Sequence, residues 1–235
     1  MKAFVCAVLL LSTSLYAEKA PFASQSDLLV DLSDGILNGI YHHRPGFDRY
    51  PCERSVWVEG FGSYRKRESS SDRMRYENSL GGIVAGFNFS LSCENYLNFF
   101  VGGSWGELEF CHESNFDTES IFFGLSWEKF CGCRFFGLAL ASGYLGLERH
   151  HEHVHEEPRG VFIAPEITYA QELDYFYCYP IFSATLRYAG FFSRDYQHRE
   201  TEGTLYVQDR SIQLFTLRGE LAAPIGWWQP YLGVA

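Results

Sequence analysis

The sequence predicts an all-β protein, a transmembrane antiparallel up-and-down β-barrel, and three observations lead to it. From Ser55 onward the apolar residues recur with a period of two rather than 3.6. Large apolar side chains share one face of each segment while small, polar or charged ones share the other, the inverse of a soluble barrel. The connections between segments alternate long and short. A secreted β-sandwich or lipocalin-like barrel also alternates within its strands, but gives no reason for the alternation of connections.

The chain opens MKAFVCAVLLLSTSLYA. Lys2 supplies a short positive region, Ala3 to Leu11 an apolar run, and Ser12 to Ala17 a small-residue approach to a cleavage point. Residues 1–17 therefore read as a secretory signal peptide cut after Ala17. A buried N-terminal helix or a membrane anchor is the alternative, but the run is too short to span a bilayer. Cys6 lies inside the removed segment and the residue directly after the cut is Glu18, not Cys, so a lipoprotein anchor is not indicated. The expected route is Sec export, and the expected location is a bacterial outer membrane.

Residues 18–54 form a leader. Within it, "SQSDLLVDLSDGILNGIYHH" carries Leu28, Leu29, Leu32, Ile36 and Leu37 at helical spacing, opened by Ser24 or Ser26 as a cap. Gly35 and Gly39 work against a helix, and an unstructured leader is the alternative. "HRPGFDRYPC" is a turn-rich link into the domain proper, residues 55–235.

The strands follow in order. In "GGIVAGFNFSL", Ile83, Ala85, Phe87, Phe89 and Leu91 oppose Gly82, Val84, Gly86, Asn88 and Ser90. In "LNFFVGGSWGE", Leu97, Phe99, Val101 and Trp105 oppose Asn98, Gly102, Ser104 and Gly106, with Phe100 the exception. "FFGLALASGYLG" repeats the pattern with Phe136, Leu138, Leu140 and Tyr144 outward. Later segments put ionisable groups on the polar face: Glu166 in "VFIAPEITYA", Arg187 in "IFSATLRYAG", Arg218 and Glu220 in "QLFTLRGEL". The expected strands are 55–67, 76–92, 96–110, 118–130, 133–150, 159–172, 177–193, 206–222 and 227–235. "RESSSDRMR", "CHESNFDTE", "HHEHVHEEPR" and "RDYQHRETEGT" are the long connections; "SCEN", "FCGC", "ELDY" and "APIGW" are the short ones. Long loops outside and tight turns in the periplasm are the habit of outer-membrane barrels.

Composition excludes other classes. A net charge of −10 argues against a nucleic-acid partner. No window after the signal reaches the roughly 18 charge-free apolar residues of a spanning helix, so a membrane location requires strands.

"SVWVEGFGSY", "SLGGIVAGFNFSLS", "YLNFFVGGSWG", "APEITYA" and "WWQPYLGVA" together resemble the β-domain of bacterial autotransporters, the outer-membrane translocator of type V secretion. The resemblance spans Ser55 to Ala235 as a diffuse pattern in the right order. It implies a barrel of about twelve strands plugged by a helix before the first strand, here Asp27 to Asn38. It also implies outer-membrane lipid and the barrel assembly machinery as partners. Three departures stand against it. Only a short leader precedes the barrel. About nine strands are countable, and the sequence given stops at "LGVA" rather than at an aromatic residue, so an incomplete barrel is expected. Some members of the family cut themselves at an Asn in the plug, and Asn38 alone does not assign that property. The leading function is a translocator or envelope barrel with almost no passenger. The alternative is an adhesin-like or porin-like barrel that binds through its outer loops.

On this topology Glu59, Glu166, Arg187, Arg218 and Glu220 face the lumen, either lining a pore and contacting the plug or forming a solvating ion network. Cys52, Cys93, Cys131, Cys133 and Cys178 fall at the periplasmic end, where disulfides form; Cys111 alone is outside. These five are candidates for a cross-linked rim, within the chain or to other envelope proteins; free thiols are the alternative, and spacing does not give connectivity. Zinc at Cys131 and Cys133 is disfavoured because C-x-C lacks the usual ligand spacing. In "RHHEHVHEEP", His151, His153 and His155 would share a face if extended and are weak candidates for zinc or copper; a solvated outer loop is the plainer reading. G-x-S-x-G, H-E-x-x-H and phosphate-cradling glycine loops are all missing. No enzymatic activity and no cofactor are expected.

Overall fold

The computed structural model describes residues 21–42, 55–67, 76–110, 114–151, 154–156, 159–173, 180–193, 196–200, 203–207, 210–222 and 231–234. One helix, α1 (Pro21–His42), precedes the strands. They are β1 (Ser55–Arg67), β2 (Tyr76–Ser92), β3 (Asn95–Phe110), β4 (Ser114–Cys131), β5 (Arg134–His151), β6 (Val154–Glu156), β7 (Arg159–Glu172), β8 (Ile181–Ser193), β9 (Tyr196–Glu200), β10 (Gly203–Val207), β11 (Arg210–Ala222) and β12 (Tyr231–Val234).

Successive long strands pair antiparallel in the order β1-β2-β3-β4-β5-β7-β8-β11-β12. This is an up-and-down meander, and each step is a hairpin. Among the described residues no pairing joins β12 back to β1, so the described strands form a curled sheet. The registers are long: β4 and β5 pair from Asn115↔His150 to Cys131↔Arg134. Gly132, at φ 57°, makes that tight turn possible, a backbone angle side-chain-bearing residues seldom adopt. Pro165 lacks an N–H to give. It falls where the β7–β8 pairing is interrupted without a change of register, between Ile163↔Gly190 and Glu166↔Arg187, so its missing N–H falls at a gap in the ladder.

The period of two becomes two faces. In β2, alternate residues from Tyr76 to Gly86 are buried; in β7, alternate residues from Gly160 to Ala170. The convex face carries Val56, Ile83, Val101, Trp105, Ile121, Phe123, Leu138, Val161 and Phe215, all exposed to solvent. The concave face holds the only sizeable apolar cluster described, in which Leu28, Leu29, Leu32, Ile36 and Leu37 of α1 meet Trp57, Val84, Phe100, Phe122, Phe162 and Phe191. Aromatic residues fit there because glycines lie beside them. A Cβ on Gly86 would strike the indole of Trp57, and one on Gly124 the ring of Phe100. The glycine-aromatic texture of the sequence is thus the texture of the inner wall.

Several expectations are corrected. The helix is longer than Asp27 to Asn38. β4 begins at Ser114, so most of the expected loop "CHESNFDTE" is strand, because Asn115 to Thr118 pair with both Gly106 to Glu109 of β3 and Leu147 to His150 of β5. β8 is described from Ile181, and the expected start at 177 lies outside the described residues. The His-rich and Arg-rich outer connections contain β6, β9 and β10, which pair with one another and with the end of β5. One end of the sheet therefore bears these short hairpins, and the other bears the turns 93–94 and 132–133.

Candidate functional site: the helix-binding concave face

Asp27, Asp31 and Asp34 stand at i, i+4 and i+7 on α1, a spacing that lines them along one stripe. Each finds a cation or donor on the wall. Arg65 of β1 forks to both upper carboxylates, with Nη1 3.3 Å from Asp27 Oδ1 and Nη2 2.6 Å from Asp31 Oδ1. Arg67 adds a contact to Asp27 Oδ2 at 3.3 Å and stacks over the Tyr76 ring. The Tyr76 hydroxyl donates to Asp27, and Asn78 Nδ2 donates to Asp31 Oδ2 at 2.7 Å.

Further down the helix, Asp34 pairs with Arg187 of β8. Arg187 is held from the other side by Glu166 of β7, with Nη2 2.6 Å and Nε 2.7 Å from Oε2. Thr168 donates to the other oxygen of Glu166 at 3.0 Å. Both Glu166 and Arg187 are buried. A buried carboxylate and guanidinium persist only when each is paired and its remaining hydrogen-bonding capacity is met, and this arrangement meets that condition.

The contacts fix the direction of α1. Asp27 meets Arg65 and Arg67 at the end of β1, whereas Gly35 packs against Phe61 closer to its start. A Cβ at Gly35 would collide with that ring, so this glycine lets the helix approach the wall. The helix therefore runs opposite to β1, with Pro21 toward the end that bears β6, β9 and β10.

Of the residues singled out in the sequence, Glu166 and Arg187 are brought together at α1. Arg218 and Glu220 pair with each other on β11. Glu59 lies on β1 and is not without partners. Arg65, Arg67, Tyr76 and Asn78 were not singled out. The signal that could have found them is the carboxylate stripe of α1, which demands donors on whatever wall it meets. A second polar group lies away from the helix: Asn98 Nδ2 donates to Ser126 Oγ at 2.8 Å and to Glu128 Oε1 at 3.1 Å.

Cys131 and Cys133, expected among the cross-linking residues, are free thiols and exposed. Cys93 is disulfide-bonded; Cys52 and Cys178 lie outside the described residues. The expected face of His151, His153 and His155 does not form as one strand. The chain reverses after His151, so the register partner of His155 is His150, while His151 opposes Val154; His153 lies outside the described residues. Among the described residues no group of three metal-ligating side chains converges, and no helix is long and apolar enough to cross a membrane, which says nothing of strands.

No protein-family model matches the sequence, and no curated protein matches it. A solved structure does match: the translocator domain of autotransporter NalP from Neisseria meningitidis, at 9% sequence identity and a TM-score of 0.74. The superposition covers 90% of this chain and 76% of that one. With a helix against the concave face of an antiparallel meander, the chain has the fold of an autotransporter β-domain.

Proposed function

We propose that the chain is an outer-membrane β-barrel of the translocator type, which holds a helix in its interior and presents what precedes that helix at the cell surface. The observation that carries this reading is the polarity of the two faces combined with the direction of α1. A solvent-exposed face of Val, Ile, Phe and Trp on strand after strand suits lipid. The same residues in water would form an apolar surface far larger than soluble monomers tolerate. The end bearing β6, β9 and β10 faces outward and the tight turns face the periplasm, so Pro21 points outward. Residues 1–17 direct export, and the barrel assembly machinery inserts the strands. At the tight-turn end, in an oxidising compartment, Cys93 serves as a cross-link, while the exposed free thiols Cys131 and Cys133 are open to neighbouring envelope proteins.

The test is an epitope placed between Ala20 and Pro21 of the full chain, expressed in a bacterium with an outer membrane. The chain is expected in the outer-membrane fraction, with the epitope reached by antibody and removed by protease on intact cells. An epitope reached only after the envelope is broken contradicts the reading.

A further inference from the structure

The carboxylates of α1 and the cations of the wall are not equally dependent on each other. Arg187 has Glu166 as a partner on its own wall, and Arg218 has Glu220. Arg65 and Arg67 differ: every carboxylate they contact among the described residues, Asp27 and Asp31, belongs to α1. When α1 leaves, the lower part of the concave face keeps its internal pairing, whereas the upper part is left with two guanidinium groups lacking a carboxylate. The remaining acidic groups of that face do not cancel them. Glu166 and Glu220 are engaged with arginines, Glu128 is bonded to Asn98, and Glu59 lies six positions before Arg65 along β1.

We infer that this pair of cations makes the interior selective for acidic polypeptide: the segment carried ahead of α1 passes or lodges most readily when it bears Asp and Glu, and is resisted when it bears Lys and Arg. The proposal rests on the translocator reading and deepens it by naming the class of chain that is carried. α1 shows the recognition chemistry, since a guanidinium fork can bridge carboxylates one helical turn apart. An acidic segment replaces the departing carboxylates as they leave, so the two arginines stay paired throughout. A basic segment brings like charge to the same place, where the two half-exposed guanidinium groups repel it.

Two short grafts of equal length, one of Asp, Ser and Gly and one of Lys, Ser and Gly, are placed between an N-terminal epitope and Pro21 in the full chain. Surface epitope is measured on intact cells and normalised to the amount of heat-resistant folded barrel. The acidic graft is expected to exceed the basic one by about threefold or more. In Arg65→Gln/Arg67→Gln, which removes the charge but keeps polar side chains, the two grafts are expected to converge; Arg65→Lys/Arg67→Lys, which keeps the charge, is expected to retain the difference. Equal display of both grafts in the native barrel overturns the proposal, as does a preference that persists unchanged in the Gln variant. Display of neither graft, from a barrel that is folded and in the outer membrane, overturns the translocator reading and the proposal with it.

Discussion

Arg187 touches one carboxylate from the wall and one from the helix, and the two contacts are not equivalent. Glu166 is fully buried at its side chain, whereas Asp34 is 36% exposed. Removing Glu166 as Glu166→Ala leaves a buried guanidinium dependent on a half-exposed partner, a change expected to destabilise the fold by about 3–5 kcal/mol. Removing the other partner as Asp34→Asn leaves the buried pair intact and is expected to cost about 1 kcal/mol or less. Urea midpoints in detergent check the first, and the second should show chiefly as faster proteolysis within α1. Equal losses for the two variants would mean that the wall pair is not preformed. The sequence placed Glu166 and Arg187 on the polar face of their strands because alternation is local. It did not reveal that they meet, because register between β7 and β8 is set by the whole ladder.

At the scale of the element, α1 is amphipathic in an unusual sense. The leucines, Ile36 and Ser33 are buried on one side, and Asp31 is buried on the carboxylate stripe, so the helix between Leu28 and Leu37 is enclosed on most of its circumference. Each fully buried Leu contributes roughly 1.5–3 kcal/mol, and the carboxylate stripe sets the rotation and depth. Gly35 weakens the helix intrinsically by up to about 1 kcal/mol relative to Ala but lets it reach Phe61. Gly35→Leu is therefore expected to loosen the docking of α1 although it favours isolated helix, and hydrogen exchange of the α1 amides should accelerate relative to those of β3 and β4. Unchanged or slower exchange would show that Phe61 yields. The sequence favours a helix through its leucine spacing and argues against it through the same glycine. Packing resolves that conflict, and packing is not written locally. The short strands β6 and β9 were illegible for a related reason. Their segments, VHE and YQHRE, are rich in His, Arg and Glu, with little β propensity of their own, and they become strands by pairing with each other, with the end of β5 and with β10, whose GTLYV is β-forming in its own right.

For the whole molecule, the legible part was the meander. β1, β2 and β7 occupy the ranges expected from alternation, because a sheet with one apolar and one polar face imposes a period of two on every strand that joins it. What alternation cannot say is which face meets lipid and which meets the helix. A large aromatic stands on either side: Trp57 is buried against Gly86 on the concave face, and Trp105 is 58% exposed on the convex one. That difference allows the arrangement to be measured directly. Single-tryptophan variants retaining only Trp57 or only Trp105 are reconstituted in bilayers of acyl-brominated phospholipid, and their fluorescence is compared with that in unbrominated lipid. Bromine on the acyl chain quenches only an indole that touches it. Strong quenching of Trp105 with little change at Trp57 is the result predicted for a barrel with its convex face in lipid and α1 on its concave face. Quenching of Trp57 with Trp105 unaffected, or quenching of neither, would contradict it.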